Sequence, residues 1–404
     1  MRFPLLVRII LLCFALCCQA ALSADDEPNA TTPAINDAGT STKSADENKN
    51  DAVPDVIIFP LPDTRVAPEP EAIVVPEKPG RIALLLPLKS STFGRAAEAV
   101  KEGFLAASKI PGDEPAFPIE IYDSEENTKN LLVIYNRILA DNAKIVVGPM
   151  TRSEVTTIAR SGMVTTPTLV LNLPEGDNLS LPPLFYSLNL SQETEARQLA
   201  NIAFTRGLRR AAIVTSAAPL AKRVQAAFAD EFLKLGATTT LEFVFNPDQK
   251  KLAEFRTALK AQLVDVVIIA TDANIARKIR PYIRSSLATL ATSQIFRSRN
   301  DAALNTDLKG LHFVDMPWLV TPDHAAVMIY PQPTRPLTAE LQRFYALGID
   351  AYRLAQLLMR SDVPPAEALD GVSGRITLTS GHWFMRELLQ ATFDQSGAVK
   401  PQAP

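Results

Sequence analysis

From residue 80 onward, short apolar runs alternate with segments of helical periodicity. Residues 81–88 (RIALLLPL) are almost uniformly apolar, which predicts a buried strand, and residues 93–109 place Ala97, Val100 and Phe104 on one helical face. Strands this apolar are covered on both faces, as in a parallel sheet with helices on either side. The pattern therefore predicts an α/β fold.

The alternation continues over two successive runs. Further strands are predicted at 119–122, 144–147, 168–171, 210–215, 239–245, 264–270 and 311–316, and further helices at 127–140, 152–161, 191–205, 220–235, 250–261, 274–283 and 337–359. The second run begins after a connection at 184–188. Two such runs predict two doubly wound parallel-sheet lobes.

The end of the chain breaks this alternation. A proline-rich stretch at 317–336 leads into the long predicted helix, and a late strand follows at Gly374–Leu378 (GRITL). A single doubly wound lobe would not require a long helix and a late strand after a proline-rich stretch. We therefore expect the chain to cross back to the first lobe and then return to the second. The expected first lobe is 80–188 with 317–372, and the second is 189–316 with 373–395.

The first 24 residues have the order of a bacterial signal peptide. Arg2 and Arg8 stand before an apolar run from Ile9 to Leu16. The small residues at 20–24 follow that run and precede an acidic segment. An uncleaved anchor is the alternative, since 5–22 almost spans a bilayer. All cysteines (Cys13, Cys17 and Cys18) lie here, and none follows a small residue as a lipid-modified cysteine would. Export to the periplasm of a Gram-negative cell is expected, with outer-membrane association left open.

Residues 25–79 predict a disordered, acidic linker. They carry nine prolines and twelve acidic residues against four basic ones. Such a composition buries too little apolar surface to offset chain entropy. Residues 80–404 carry 35 basic and 32 acidic residues, so no strong field points to nucleic acid.

Residues that catalysis would need are not grouped in the sequence. His312, His324 and His382 are scattered without a second ligand at metal spacing, and no nucleophile elbow, phosphate loop or dinucleotide glycine run is present. We therefore expect a protein that is not an enzyme and uses neither metal nor cofactor.

A ligand cleft is predicted between the lobes, because ligands of open α/β sheets bind beyond the carboxyl ends of the strands. The loops at those ends supply hydroxyl, amide and carboxylate groups for a small polar ligand. The candidates are Ser90, Ser91, Thr92, Thr151, Ser153, Asn172, Thr215, Ser216 and Asp272. The alternative is that Ser153, Thr215 and Asp272 only cap helices.

Candidates for a protein interface lie elsewhere. Trp318 and Trp383 stand in segments without clear periodicity, and aromatic side chains are frequent at interfaces, although burial in the lobes is the alternative. Arg277 and Arg280 belong to a basic helical segment that either faces an acidic partner or is only solvated.

Several of these segments resemble one family. The opening RIALLLPLKSSTFGRAAEAVKEGFLAA, Val147-Gly148-Pro149 with Thr151 and Ser153, TPTLVLN, YALGIDAYRLAQLL and GVSGRITL are similar to the periplasmic-binding-protein-like domain of the LppC/LpoA family. The resemblance covers residues 80 to about 390. It implies a type I, leucine-binding-protein-like periplasmic binding fold.

The resemblance also implies a function. Members activate class A (bifunctional) penicillin-binding proteins in peptidoglycan synthesis, so a class A penicillin-binding protein is the expected partner. This chain departs from the family in two ways: a linker stands where many members carry a helical-repeat domain, and a clear lipid-attachment motif is lacking. The alternative hypothesis is a solute-binding receptor that delivers an amino acid or similar ligand to an ABC transporter.

Overall fold

The computed structural model describes residues 80–111, 117–125, 127–176, 181–360 and 368–402. The predicted signal peptide (1–24) and linker (25–79) lie outside the described residues. The described part contains two sheets flanked by helices, so the prediction of two doubly wound lobes is confirmed.

The first lobe opens with three β-α units, which two further strands follow. Its elements are β1 (Arg81–Leu86), α1 (Gly94–Ser108), β2 (Ile119–Asp123), α2 (Thr128–Ala140), β3 (Ala143–Val147), α3 (Arg152–Arg160), β4 (Thr168–Val170) and β5 (Phe185–Leu188). Ile82, Leu84 and Leu86 of β1 enter one apolar cluster, and Ala83 and Leu85 enter another on the opposite face. Burial on both faces explains why this strand is uniformly apolar.

The second lobe follows the same plan. Its elements are α4 (Gln192–Thr205), β6 (Arg210–Thr215), α5 (Pro219–Lys234), β7 (Thr238–Val244), α6 (Gln249–Ala261), β8 (Val266–Ile269), α7 (Ala273–Ile279), β9 (Ala288–Ala291), α8 (Ala302–Asn305) and β10 (His312–Asp315). Strand β9 was not predicted from the sequence. Its few apolar residues lie between two short 3-10 turns, Arg280–Tyr282 and Ser293–Ile295.

The chain then crosses back to the first lobe. The elements of this return are α9 (Pro317–Val320), α10 (Ala325–Met328), α11 (Ala339–Leu358), β11 (Leu369–Gly371), β12 (Gly374–Leu378) and β13 (Trp383–Glu387), and β14 (Leu389–Phe393) and β15 (Val399–Pro401) end the chain in the second lobe. The first sheet has the order β11-β12-β13-β5-β4-β3-β1-β2, and the second β15-β14-β10-β9-β8-β6-β7.

The strand Gly374–Leu378 corrects the expected lobe boundary. The sequence placed 373–395 in the second lobe, but β12 pairs antiparallel with β13, and β13 pairs parallel with β5 of the first sheet. The crossing lies instead at Leu388, between β13 and β14, and β14 pairs antiparallel with β10. The two lobes are joined by three passages of the chain, near 189–191, 316–338 and 388.

Helices α1 and α11 hold the return crossing against the first lobe. Phe104 and Tyr352 meet edge to face, with ring centroids 5.2 Å apart. Because α11 begins at Ala339, close to the second passage, its first turns reach the junction of the lobes while the rest packs on the first lobe.

Candidate functional site

A cavity of about 430 Å³ lies where the three passages meet. Its wall includes Gln192 after the first passage, Met316 at the second and Arg386 before the third. Residues of α4 and α11 complete it, among them Glu195 and Arg343. The cavity therefore belongs to the junction of the lobes rather than to either sheet alone.

Glu195 is a buried carboxylate in the first turn of α4. That turn is fixed by the Ser191 hydroxyl, which accepts a hydrogen bond from the Thr194 amide at 3.2 Å. The backbone N–H and the hydroxyl of Ser293 donate to the two Glu195 oxygens at 2.9 and 3.0 Å. Burial raises the pKa of Glu195 to about 7; nearby Asp315 acts in the same direction, and the Ser293 amide and the arginines oppose it.

Arg343 joins the two lobes. It projects from α11 and makes a bidentate ion pair with Asp315 at the end of β10, with nitrogen-to-oxygen distances of 2.6 and 3.1 Å. Its Nη2 also donates to the carbonyls of Ser293 and Phe296. Since the Asp315 side chain is fully buried, this pair fixes the first turns of α11 against the second lobe.

Arg386 approaches the cavity from the end of β13. Its Nε donates to the Asn189 carbonyl and its Nη1 to the Ser373 carbonyl, both at 2.7 Å. Burial lowers its pKa, which Glu195, Asp350 and Asp315 partly offset. Within the described ranges no carboxylate forms an ion pair with Arg386, so its bonded partners are neutral carbonyls.

Asp350 stabilises the turn between β11 and β12, where the Ser373 carbonyl accepts a hydrogen bond from Arg386. This buried carboxylate of α11 accepts hydrogen bonds from the amides of Val372 and Ser373 at 3.1 and 2.7 Å. Arg353 pairs with it at 3.2 Å. Burial nevertheless raises the Asp350 pKa above its usual range. The turn between β11 and β12 is thereby held against α11.

The residues predicted to line a ligand cleft are spread over several loops. Asp272 lines the cavity at the lobe junction, and Ser90 lines a second cavity of about 470 Å³ between α1 and residues 335–341. Ser91 and Thr92 lie in the same exposed turn as Ser90, whose hydroxyl accepts from the Thr92 and Phe93 amides.

Most of the other candidates make local hydrogen bonds. Thr151 forms a capping box with Glu154, and its hydroxyl lies 3.4 Å from that of Ser153. Asn172 donates to the Met150 carbonyl at 2.9 Å. In the second lobe Thr215 is buried, Ser216 accepts from the Ala218 amide, and Asp272 caps α7 through the amides of Asn274 and Ile275. Ligand binding by these residues stays a prediction.

The interface candidates differ in exposure. Trp318 is 3% exposed and packs against Tyr345, with ring centroids 5.3 Å apart, so it offers no surface anchor. Trp383 is half-buried on β13. Arg277 donates hydrogen bonds to the Leu304 carbonyl and to the side-chain oxygen of Asn305. The buried Arg280 donates to the carbonyls of Ile283 and Lys309. These two arginines connect parts of the second lobe, which leaves a role in an interface as a prediction.

Glu195, Arg343 and Arg386 were not singled out from the sequence. Glu195 stands among other polar residues (SQETEARQ), and Arg343 and Arg386 stand in segments of mixed polarity. Their tertiary partners are distant in sequence. The sequence did carry a signal for other buried charges near this site. A single acidic residue stands inside a largely apolar run at Asp315 (LHFVDM) and at Asp350 (LGIDAY). A buried charge of this kind needs a partner and so marks a contact between elements.

Two further searches cover the described part of the chain. No group of three or more histidine, aspartate and glutamate side chains there is placed to hold a metal ion. Among those same residues, no helix combines the length and the hydropathy that crossing a membrane requires.

The family is decided by a match along most of the chain. The family model described as "LppC putative lipoprotein" matches residues 74–255 and 253–396. The chain belongs to the LppC family. All three passages of this LppC chain, and both lobes except strand β15, lie inside the matched residues.

Curated relatives are named for an activator. "Penicillin-binding protein activator LpoA" of Vibrio antiquarius (strain Ex25) is 27% identical over 346 residues, covering 77% of this chain and 57% of that protein. The protein of the same name from Pantoea ananatis (strain LMG 20103) is 25% identical, covering 71% and 48%. This LppC chain therefore spans about half the length of these relatives.

Solved structures share the fold. "LpoA (YraM) C-domain from Haemophilus influenzae, a regulator of PBP1A" superposes with a TM-score of 0.66 at 20% identity, covering 80% of this chain and all of that one. A protein of Chromobacterium violaceum ATCC 12472, described as a "putative branched-chain amino acid ABC transporter", superposes at 0.67 with 35% identity, covering 77% and 99%. The predicted type I periplasmic binding fold is confirmed.

Proposed function

We propose that this LppC chain is a non-catalytic envelope regulator that binds a class A penicillin-binding protein and raises its peptidoglycan-synthesising activity. The observation that carries the proposal is the name shared by the curated relatives, which match over 71–80% of the chain. The family match at residues 74–255 and 253–396 includes both lobes except strand β15, so the bilobed body is the part proposed to meet the enzyme.

The junction between the lobes supports a rigid binding body. A receptor that closes on its solute must let its lobes rotate, and hinges are residues free to change their backbone angles. Here Arg343 is bonded to Asp315, Ser293 and Phe296, all in the second lobe, while its helix packs on the first. Gln198 of α4 also exchanges two hydrogen bonds with the backbone of Leu388 at the third passage.

The proposal is tested with the exported chain and a class A penicillin-binding protein from the same cell. We expect saturable binding and a several-fold rise in glycan polymerisation or cross-linking when the two are mixed. A matched control is the same enzyme with a heat-unfolded sample of the chain. Failure to bind, together with unchanged rates of both reactions, would contradict the proposal.

A solute receptor remains the second candidate function, because the Chromobacterium violaceum protein described as a transporter component is 35% identical. That hypothesis requires closure of the lobes around the solute. Small-angle scattering with branched-chain amino acids separates the two: a receptor should become more compact on saturation, and a regulator with a fixed lobe angle should not.

A further inference from the structure

The end of the second lobe that lies away from the lobe junction is built from short segments that precede its strands. Strands β6 to β10 run parallel, so their starts lie at one edge of the sheet, and the helices that lead into them end there. Strand β10 ends at the junction with Asp315, which places the strand starts at the opposite end. We call this the distal end. It comprises residues 205–210, 231–238, 260–265, 284–287 and 307–311, with the turn 394–398 between β14 and β15.

The distal end is basic. Its basic residues are Arg206, Arg209, Arg210, Lys234, Lys260, Arg284 and Lys309, and its acidic residues are Glu231, Asp265, Asp307 and Asp394. Asp265 pairs with Arg210 at 2.8 Å, and Asp394 accepts hydrogen bonds within its own turn. The side chains of Lys260, Arg284 and Lys309 are exposed, so the excess of positive charge faces the solvent.

Two leucines project from the same end. Leu233, in the last turn of α5, is 67% exposed, and Leu263, which follows α6, is 66% exposed. Each lies near a lysine, since Lys234 adjoins Leu233 and Lys260 precedes Leu263 by three residues. Helix α5 packs on α4, whereas α6 packs on the 3-10 turn Arg280–Tyr282. The leucines are therefore two separate apolar points within a basic surface.

The backbone of Leu263 is an independent observation. Its φ of 48° lies in the left-handed region, which bulky side chains rarely adopt. The residue at the same position after α4 and after α5 is a glycine: Gly207 has a φ of 79° and Gly236 a φ of 87°. A leucine that is two-thirds exposed in this conformation gains little from the fold. Its presence indicates a requirement outside the folded chain.

The composition of the distal end fits a membrane surface better than a protein partner. Protein interfaces are depleted in lysine and enriched in tyrosine and tryptophan, and the segments of the distal end contain neither of these aromatic residues. Binding to an anionic bilayer instead uses lysine and arginine side chains at the headgroups and apolar side chains that enter the interface. The distal end presents both kinds of side chain together.

We propose that the distal end of the second lobe binds the surface of a bilayer that contains anionic phospholipids. Its basic residues lie at the headgroups, and Leu233 and Leu263 enter the interface. The lobe junction is then on the side away from the membrane. The proposal goes beyond activation of a penicillin-binding protein and holds whether or not the chain binds that enzyme.

The experiment is co-sedimentation of the exported chain with vesicles of phosphatidylglycerol and phosphatidylcholine in equal parts, and with vesicles of phosphatidylcholine alone. We expect saturable binding to the anionic vesicles only. Most of that binding should be lost when the salt concentration rises from about 0.1 M to about 0.5 M, because salt screens the attraction. Absence of binding to the anionic vesicles, or equal binding to both kinds, would overturn the proposal.

Two pairs of lysine variants locate the surface. Lys234→Gln with Lys260→Gln should weaken binding about tenfold or more, because each basic residue near an anionic surface contributes about fivefold. Lys222→Gln with Lys250→Gln is the matched control, since it removes two exposed charges from the first turns of the same helices, at their other ends. This control should bind within about twofold of the parent. Equal losses in the two pairs would show attraction by net charge alone and would contradict the assignment to the distal end.

Leu263→Asn distinguishes a bilayer from an acidic protein. Asparagine adopts the left-handed region more readily than leucine, so the variant should keep or raise the Tm of the chain. It should also bind the anionic vesicles several-fold more weakly, because an apolar side chain that enters the interface is lost. Unchanged vesicle binding by Leu263→Asn, or saturable binding of polyglutamate without binding to vesicles, would assign the distal end to an acidic protein and overturn the proposal.

Discussion

Gly103 of α1 and Gly348 of α11 lie at the crossing of these helices, and each is in contact with the backbone of the other helix. A methyl group on Gly103 would overlap the carbonyl oxygen of Tyr345, and one on Gly348 would overlap that of Val100. Both glycines have ordinary helical backbone angles, so the requirement is for space. This close approach fixes where α11 lies on the first lobe.

Gly348→Ala should therefore destabilise the chain. Alanine favours helices, so any loss measures the overlap with α1 rather than helix propensity. We expect a loss of about 1–3 kcal/mol in the free energy of unfolding, as for overpacked cores, measured by urea denaturation. Glu340→Ala, on the exposed first turn of the same helix, is the control and should change stability by less than about 1 kcal/mol. A neutral Gly348→Ala would show that the helices can move apart freely.

Replacing Arg343 by methionine should be more damaging. The substitution keeps much of the side-chain length but leaves the fully buried Asp315 without its cation. Loss of one partner of a buried pair costs about 3–5 kcal/mol, which urea denaturation would detect.

The double variant Arg343→Met with Asp315→Asn tests the cause of that loss. Removing the unpaired charge should recover part of the stability, since asparagine can still accept from the Met316 amide that Asp315 now binds. A double variant no more stable than the single one would show that the loss comes from packing at α11 instead.

The contribution of Glu195 to the stability of the chain should fall as pH rises from about 4.5 to 7. Glu195 has a pKa of about 7 in the folded protein against an ordinary 4.5, so in this window the native state binds more protons than the unfolded state. The facing groups are Ser293, Asp315, Arg343 and Arg386. The raised pKa corresponds to roughly 3 kcal/mol between the ends of the window. Asp350, whose pKa burial also raises, adds a change of the same sign.

Glu195→Gln isolates the contribution of Glu195. The variant should be more stable than the parent at pH 8, where Glu195 is charged, and close to it at pH 4, where Glu195 is neutral. Denaturant midpoints at both values measure the difference. A parent and variant with parallel pH profiles would contradict the assignment of the slope to this carboxylate.

Asp350→Ala should destabilise the β11–β12 turn. The change removes the acceptor for the amides of Val372 and Ser373, two buried backbone groups. Each unsatisfied group costs about 1–3 kcal/mol. Asp350→Asn keeps one acceptor and removes a buried charge, so it should lose less stability than alanine. Hydrogen exchange of these two amides would report the effect locally, and unchanged protection in Asp350→Ala would contradict it.

Much of the fold follows from local apolar patterns, as in β1, where every position after Arg81 is buried. Strands β13 and β14 were missed because they are short and meet at one residue, with Arg386 and Glu387 breaking the apolar pattern. The sheet that β12 joins is decided by its pairing with β13, and a sequence pattern does not state a strand's partner. Hydroxyl and acidic residues at strand ends were predictable as candidates because the strands themselves were predictable. Glu195 and Arg386 come to line one cavity only through tertiary packing, which a sequence pattern does not state.

After the third passage the chain supplies β14 and β15, the last two strands of the second sheet. The second lobe is therefore incomplete without them. Strands β14 and β15 follow the rest of the second lobe in the chain, and β10 lacks its neighbour on one side until Leu389–Phe393 pairs with it. A product that stops before residue 389 would expose a bare strand edge, which invites intermolecular pairing and proteolysis.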